Sequence, residues 1–146
     1  MAKKKDKVVE IYIPSELGYE RIPMAAAATV AQRMGFSPDR IEDLKTAISE
    51  AVTNAIEHGN QSNEGVKVLV ELTVQDKSLT LNVVDQGKKP IPDIATDVGE
   101  TFESRPGYPR GLGMFLIRRL VDEIVVSAKP GRNEVRMVIH LEPRSS

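Results

Sequence analysis

Glu50 and Asn54 are two residues whose types and spacing could do chemistry. They lie four positions apart in a segment with helical periodicity, so their side chains project from one face, one turn apart. A carboxylate can accept the proton of an attacking hydroxyl, and an amide oxygen can ligate a hard cation such as Mg²⁺. Because Glu and Asn at this spacing are also common on solvated helix faces, the pair indicates a site only in combination with other groups.

Asp85 is the second candidate, at the end of a predicted strand. Apolar residues alternate through residues 79–83, and the same parity puts Asp85 on the apolar face. A buried carboxylate is costly unless it is hydrogen-bonded or neutralised. Two interpretations stay open. Asp85 either begins a solvated turn, or accepts a hydrogen bond from an exocyclic amine such as that of adenine, with Gly87 letting the backbone approach the ring.

A glycine-containing segment, Arg110-Gly111-Leu112-Gly113-Met114, precedes a helix that the pattern predicts over about 114–122. Glycines directly before a helix leave several free N–H groups at its positive end, which can bind an anion. Residues 86–110 are rich in proline and glycine and are predicted to form a long lid over that anion, with Arg110 pairing bidentately with a terminal phosphate. A plain loop joining two elements is the alternative.

The elements that must position these groups follow the order βααββαββ. Hairpins dominate this order, which predicts an α+β fold: a two-layer sandwich of a mixed, mostly antiparallel sheet with helices on one face. The predicted strands cover residues 8–13, 66–74, 79–85, 123–128 and 134–141, and the predicted helices cover 20–34, 38–58 and 114–122.

Composition limits the possible function classes. The 146 residues suit one domain, 1–146, with residues 1–7 predicted as a disordered tail. A net charge of -1 gives no global attraction to nucleic acid or to an anionic membrane, and the absence of cysteine excludes thiolate chemistry. With neither a long apolar run nor a signal-peptide pattern, we expect a cytoplasmic protein without direct nucleic-acid or membrane contact.

Three segments together resemble the GHKL ATP-binding proteins, which have the Bergerat fold. The run SEAVTNAI at residues 49–56, followed by His58-Gly59, is similar to their N box. Asp85-Gln86-Gly87 resembles the G1 box, and residues 111–113 resemble the G2 box. The resemblance covers residues 8–142 and is closest to the bacterial anti-sigma factor serine/threonine kinases, whose G2 box and following helix are similar to GLGMFLIRRLVDE at 111–123.

The resemblance implies a role for each candidate residue. Glu50 would be the general base that takes a proton from a serine hydroxyl on a partner protein, and Asn54 would ligate the Mg²⁺ that bridges the ATP phosphates. Asp85 would bind the adenine amino group, with Gly87 beside it. The residues that would hold the β- and γ-phosphates are Arg110, Gly111, Leu112, Gly113 and Met114.

The resemblance also implies partners. They are a sigma factor, which the protein would hold inactive, and a small anti-anti-sigma antagonist, which it would phosphorylate; a homodimer is expected, and Arg21 resembles a position that contacts these partners. Two alternatives stay open. The first is a switch kinase that acts on a scaffold or antagonist without binding sigma, and the second is an ATP-gated binding module without transfer.

Two positions depart from the family pattern. Lys89 stands where a second glycine of the G1 box would be, and Asn133 stands where these proteins often place a threonine near adenine. We expect the Asn133 departure to weaken the adenine contact or to route it through a water molecule.

Overall fold

The computed structural model describes residues 5–87 and 110–141, and it describes residues 110–114 by their backbone alone. The predicted order of elements is confirmed, and a single π-helical turn, Ala55–Gly59, continues the second helix. The helices are α1 (Arg21–Met34), α2 (Pro38–Asn54) and α3 (Arg110–Leu120); the strands are β1 (Lys7–Pro14), β2 (Lys67–Val74), β3 (Ser78–Asp85), β4 (Glu123–Lys129) and β5 (Arg132–His140).

The five strands form one sheet in the order β1-β2-β3-β5-β4. Every pairing within the described residues is antiparallel, so the expectation of a mixed sheet is wrong. The reason lies in the crossover through α3. Strands β3 and β4 run in the same direction, as expected for strands joined by a helix, but β5 lies between them and is antiparallel to both.

The helix boundaries around residue 36 confirm the predicted end of one helix at residue 34 and the predicted start of the next at residue 38. Gly35 ends α1 with φ of 100°, a left-handed conformation that glycine adopts without a steric penalty. Ser37 caps α2 by accepting a hydrogen bond from the N–H of Arg40 at 3.3 Å, and Pro38 occupies the first helical position. These two signals set where α2 begins and therefore which of its residues reach the sheet.

The core lies between the helices and one face of the sheet. Helix α2 supplies a fully buried stripe that packs with the inward side chains of the strands. The opposite sheet face leaves Val8, Tyr12 and Val125 exposed, which confirms the two-layer arrangement with helices on one face. The buried residues of α2 are Leu44, Ala47, Ile48, Ala51 and Val52.

An ion pair ties the first turn of α2 to the far edge of the sheet. The guanidinium of Arg40 donates to Oδ2 of Asp122 at 2.7 Å, and the same oxygen accepts from the backbone N–H of His140 at 2.8 Å. Both side chains are partly buried, so the pair is screened less than a surface pair. This contact orients the helix that carries Glu50 and Asn54.

Helix α3 begins at Arg110, four residues before the predicted start at Met114. The first four N–H groups of a helix have no intrahelical acceptor, and here they include those of Gly111 and Gly113. Strand β1 similarly begins at Lys7, inside the segment predicted as a tail. Within residues 5–87 and 110–141, no helix is long and apolar enough to cross a membrane.

Candidate active site

Asp85 is the last residue of β3 and pairs with Asn133 of β5. Its side chain is 4% exposed, which confirms the parity argument and excludes the solvated turn. A carboxylate is buried in a folded protein only where hydrogen bonds offset the loss of its contacts with water. The strand therefore delivers a charged group to the apolar side of the sheet at one end.

Two donors bind one oxygen of this carboxylate. The N–H of Gly87 donates to Oδ1 of Asp85 at 2.8 Å, and Nδ2 of Asn133 donates to the same atom at 3.0 Å. Burial raises the pKa of Asp85, while these two hydrogen bonds oppose the rise. Among the described residues, none donates to Oδ2, which leaves that oxygen for a donor on a ligand.

Two glycines allow three backbone segments to meet at Asp85. A Cβ placed on Gly59 would overlap the Asp85 carboxylate, and a Cβ placed on Gly87 would overlap the carbonyl of Gly59. The π-helical turn produces this approach, because it ends at Gly59 with the N–H of Asn60 bonded to the carbonyl of Ala55 at 2.8 Å. Such turns recur at functional sites. From the sequence, Gly59 was singled out only as part of the segment that resembles the N box.

Asn60 is a second residue that sequence reasoning missed. Its side chain is buried, with 6% exposure, and its Oδ1 accepts from the N–H of Gln86 at 2.9 Å. Its Nδ2 donates to Oγ of Ser15 at 2.9 Å and to the carbonyl of Lys67 at 3.2 Å. Asn60 thus fixes the backbone that follows Asp85 against the ends of β1 and β2. The only sequence signal was an asparagine directly after a helix-ending glycine.

Glu50 and Asn54 lie on one side of α2, one turn apart, and both are half-buried. Within the part of the chain that the structure describes, no side-chain hydrogen bond or ion pair engages either group. The carboxylate is therefore available to accept a proton, and the amide oxygen to ligate a cation. Asn54 ends α2 directly before the turn that reaches Asp85.

The donor set around Asn54 fits Mg²⁺ only together with a phosphate ligand. Residues 5–87 and 110–141 contain no cluster of three or more His, Cys, Asp or Glu side chains able to hold a metal. Mg²⁺ keeps several waters and commonly takes one or two protein oxygens plus phosphate oxygens. One amide oxygen at this place is consistent with that kind of site and not with a resident metal held by protein alone.

The amino end of α3 supplies backbone N–H groups, and α3 packs against α2. The backbone N–H groups that were predicted to bind an anion, from Arg110 to Gly113, therefore lie in the first turn of the helix. The predicted roles of the side chains of Arg110, Leu112 and Met114 lie outside the described side chains. Residues 88–109, with Lys89 and most of the predicted lid, lie outside the described residues.

Arg21 is the first residue of α1 and is exposed. Three large apolar side chains close to it in sequence, Leu17, Tyr19 and Ile22, are also exposed. The structure thus places Arg21 on a surface and gives it no part in the hydrogen bonds around Asp85.

Asn133, at the position that departs from the family pattern, bonds directly to Asp85 through its amide and also donates to the carbonyl of Gly87 at 3.3 Å. The expected weakening or water mediation concerns the contact with bound adenine and stays a prediction. The side chain is 1% exposed. It can make both bonds because an amide nitrogen carries two hydrogens, whereas a threonine hydroxyl carries one.

Known proteins share this arrangement of sequence and fold. The model of the histidine kinase-like ATPase domain matches residues 13–139. A serine-protein kinase RsbW of Bacillus velezensis is 38% identical over 128 residues, with 84% of this chain and 79% of the relative covered. The RsbW of Listeria monocytogenes is 35% identical over 133 residues, with 85% and 81% covered.

Solved structures agree in fold. One match is the crystal structure of the RsbU and RsbW domains of Rv1364c from Mycobacterium tuberculosis, with a TM-score of 0.67 and 19% identity. The match covers 92% of this chain and 32% of the Rv1364c chain. The catalytic domain of histidine kinase ThkA has a TM-score of 0.54 at 16% identity, with 94% and 99% covered. At these identities the likeness concerns the fold alone. The sequence matches go further, and they show that the chain belongs to the histidine kinase-like ATPase family, in its branch of RsbW-type serine-protein kinases.

Proposed function

We propose that this protein is an ATP-dependent protein serine kinase of a partner-switching module, which binds a sigma factor and phosphorylates a small anti-anti-sigma protein on serine. The observation that carries the proposal is the buried Asp85 carboxylate, whose Oδ1 is bonded by the protein while Oδ2 has no donor among the described residues. An acceptor held in this way suits the amino group of adenine.

The adenine end of the site would be built from Asp85 and the two glycines. Oδ2 of Asp85 would accept a hydrogen bond from the exocyclic amine of the base. The backbone of Gly59 lies against the carboxylate, and the backbone of Gly87 lies against Gly59. Neither position therefore has room for a Cβ. Asn60 holds the N–H of Gln86, so the loop is preorganised before the nucleotide arrives.

The phosphate end would be built from α2 and α3. The oxygen of Asn54 would ligate Mg²⁺, which neutralises charge on the phosphates when it is bound. The N–H groups of residues 110–113 lie at the positive end of α3 and would bind the β- and γ-phosphates. In this proposal the guanidinium of Arg110 pairs with the γ-phosphate, and residues 86–110 form the lid.

The transfer step would use Glu50 as general base. Its carboxylate would take the proton from the partner's serine hydroxyl as the serine oxygen bonds to the γ-phosphorus and the bond to the β,γ-bridging oxygen breaks, releasing ADP. Phosphoryl transfer needs mainly positioning and charge neutralisation from the protein. Supporting this role, no side-chain partner among the described residues occupies the Glu50 carboxylate.

The partner surface would include Arg21. A cation beside exposed Leu17, Tyr19 and Ile22 offers both charge and apolar area, a combination suited to a protein interface. A homodimer is also proposed, with exposed Val8 and Tyr12 on the edge strand β1 as the available apolar surface. A protein that binds a sigma factor would be located in the cytoplasm.

Replacement of Glu50 by glutamine tests the transfer step. We expect phosphoserine formation on the host's anti-anti-sigma protein, measured with Mg-ATP by mass spectrometry, to slow by about 100-fold or more, because general-base catalysis contributes about 10²–10⁴. Affinity for ATP should stay unchanged, since Glu50 acts on the serine. The control is Glu42→Gln, on the exposed side of the same helix. Transfer at the wild-type rate would remove the base assignment, and no transfer by the wild-type protein would favour an ATP-gated binding module.

Replacement of Asp85 by asparagine should separate ligand binding from stability. The amide would present N–H in place of the Oδ2 lone pairs, so ATP affinity should fall by about 10- to 100-fold, the worth of a hydrogen bond to a charged acceptor. Titration calorimetry would measure it.

The free Asp85→Asn protein should be more stable than the wild type at neutral pH. Burial raises the pKa of Asp85, so the folded state favours the protonated acid, and wild-type stability falls as pH rises through that pKa. The variant lacks this loss, and thermal unfolding at several pH values would show it. Undiminished ATP affinity in the variant would refute the adenine assignment.

Replacement of Gly59 by alanine tests the close approach of the three segments. The added Cβ would overlap the Asp85 carboxylate, so we expect a loss of about 1–3 kcal/mol in unfolding free energy, together with weaker ATP binding. Gly65→Ala is the matched control, because its Cβ would meet only Oδ1 of Asn63 at 3.4 Å. Equal urea midpoints for the two variants would contradict the packing described here.

A further inference from the structure

Asn133 lies on the inner face of the sheet, directly opposite Asp85 in the register of β3 and β5. Residues paired in this way share a face, so the amide and the carboxylate meet although they are 48 positions apart in sequence. With 1% exposure, the amide has lost its water and depends on protein partners. The position of the Asn133 amide is therefore determined by its hydrogen bonds to the protein and not by contacts with water.

The chemistry of the neighbours fixes which way the amide points. Among the described residues, both hydrogen-bond partners of its nitrogen are acceptors, namely Oδ1 of Asp85 at 3.0 Å and the carbonyl oxygen of Gly87 at 3.3 Å. The reverse orientation would set an amide oxygen against two other oxygens and would lose both bonds. Asn133 therefore bridges the end of β3 to the backbone two residues later.

This bridge determines which oxygen of the carboxylate faces a ligand. With Asn133 and the N–H of Gly87 both on Oδ1, rotation of the carboxylate would break two hydrogen bonds. The arrangement also favours the ionised form against the opposing effect of burial on the pKa of Asp85. An ionised carboxylate only accepts hydrogen bonds, whereas a protonated carboxyl could donate one to a carbonyl.

We propose, on the basis of the ATP-binding function proposed above, that Asn133 is a positioning residue that turns Oδ2 of Asp85 toward the base and so makes the site select a purine with an amine over a purine with a carbonyl at that place. A threonine hydroxyl has one hydrogen to donate and can hold the carboxylate or the loop, but not both. Asparagine at position 133 thus restricts the orientation of the Asp85 carboxylate more than the threonine that is often found there.

The test compares binding of ADP with that of inosine diphosphate (IDP), in which a carbonyl replaces the amine. The wild-type protein should prefer ADP by about tenfold or more, the worth of one hydrogen bond to a charged group. Asn133→Leu is branched at the same carbon and has no donors. We expect it to weaken ADP by about tenfold while IDP changes little or improves, so that the preference collapses.

A conservative variant and a control separate positioning from simple structural support. Asn133→Thr keeps one donor and should restore part of the preference for ADP. Asn82→Leu makes the same chemical change on the same sheet, where the Asn82 amide donates to Glu71 at 3.2 Å, and should leave the preference unchanged. A purely structural role for Asn133 would weaken both nucleotides equally and leave their ratio at the wild-type value.

Several results would overturn the inference. An unchanged ADP-to-IDP ratio in Asn133→Leu would do so directly. If that variant fails to fold, Asn133→Thr carries the test, and an unchanged ratio there overturns the inference as well. Absence of ADP binding by the wild-type protein would instead refute the proposed function, so the two failures are distinguishable.

Discussion

The site depends on one buried carboxylate that is hydrogen-bonded on a single side. Asp85 would be a liability in a structural domain, because burial raises its pKa and the charged form costs stability. Gly87 and Asn133 offset part of that cost at Oδ1. The remaining cost is explained if a ligand donor completes the set at Oδ2, and the rest of the site is arranged around that requirement.

The surrounding packing keeps this carboxylate in place. The π-helical turn after α2 brings Gly59 against Asp85, and Gly87 in turn meets the carbonyl of Gly59. Asn60 then anchors the backbone of Gln86 to the ends of β1 and β2. Since α2 also carries Glu50 and Asn54, a few close backbone contacts join the two ends of the proposed nucleotide site.

Local patterns in the sequence predicted much of this. The alternation through residues 79–83 placed Asp85 on the buried face, and the end of α1 and the start of α2 were predicted correctly, where Gly35 and Ser37 act as caps. Each of these signals is short-range, so periodicity and capping are sufficient to predict it. The start of α3 was wrong by four residues, because glycines in a first turn resemble a loop when only the sequence is considered.

Non-local contacts could not be predicted in the same way. Asn133 bonds to Asp85 across 48 positions, and Asn60 bonds to Gln86 across 26. Which strand lies beside β3 depends on the crossover through α3, and β5 takes that place instead of β4. The family resemblance implied that position 133 lies near the base, but only the structure shows that its amide bonds to the Asp85 carboxylate.

The central claim is that Oδ2 of Asp85 accepts a hydrogen bond from the amine of the base. Carbon-13 NMR of the Asp85 carboxyl, titrated in the free protein and with saturating ADP or IDP, tests it most directly. In the free protein the pKa should lie above the ordinary aspartate value. ADP should lower it, because its amine binds the ionised form, and IDP should not. A carboxyl pKa that ADP leaves unchanged would contradict the account.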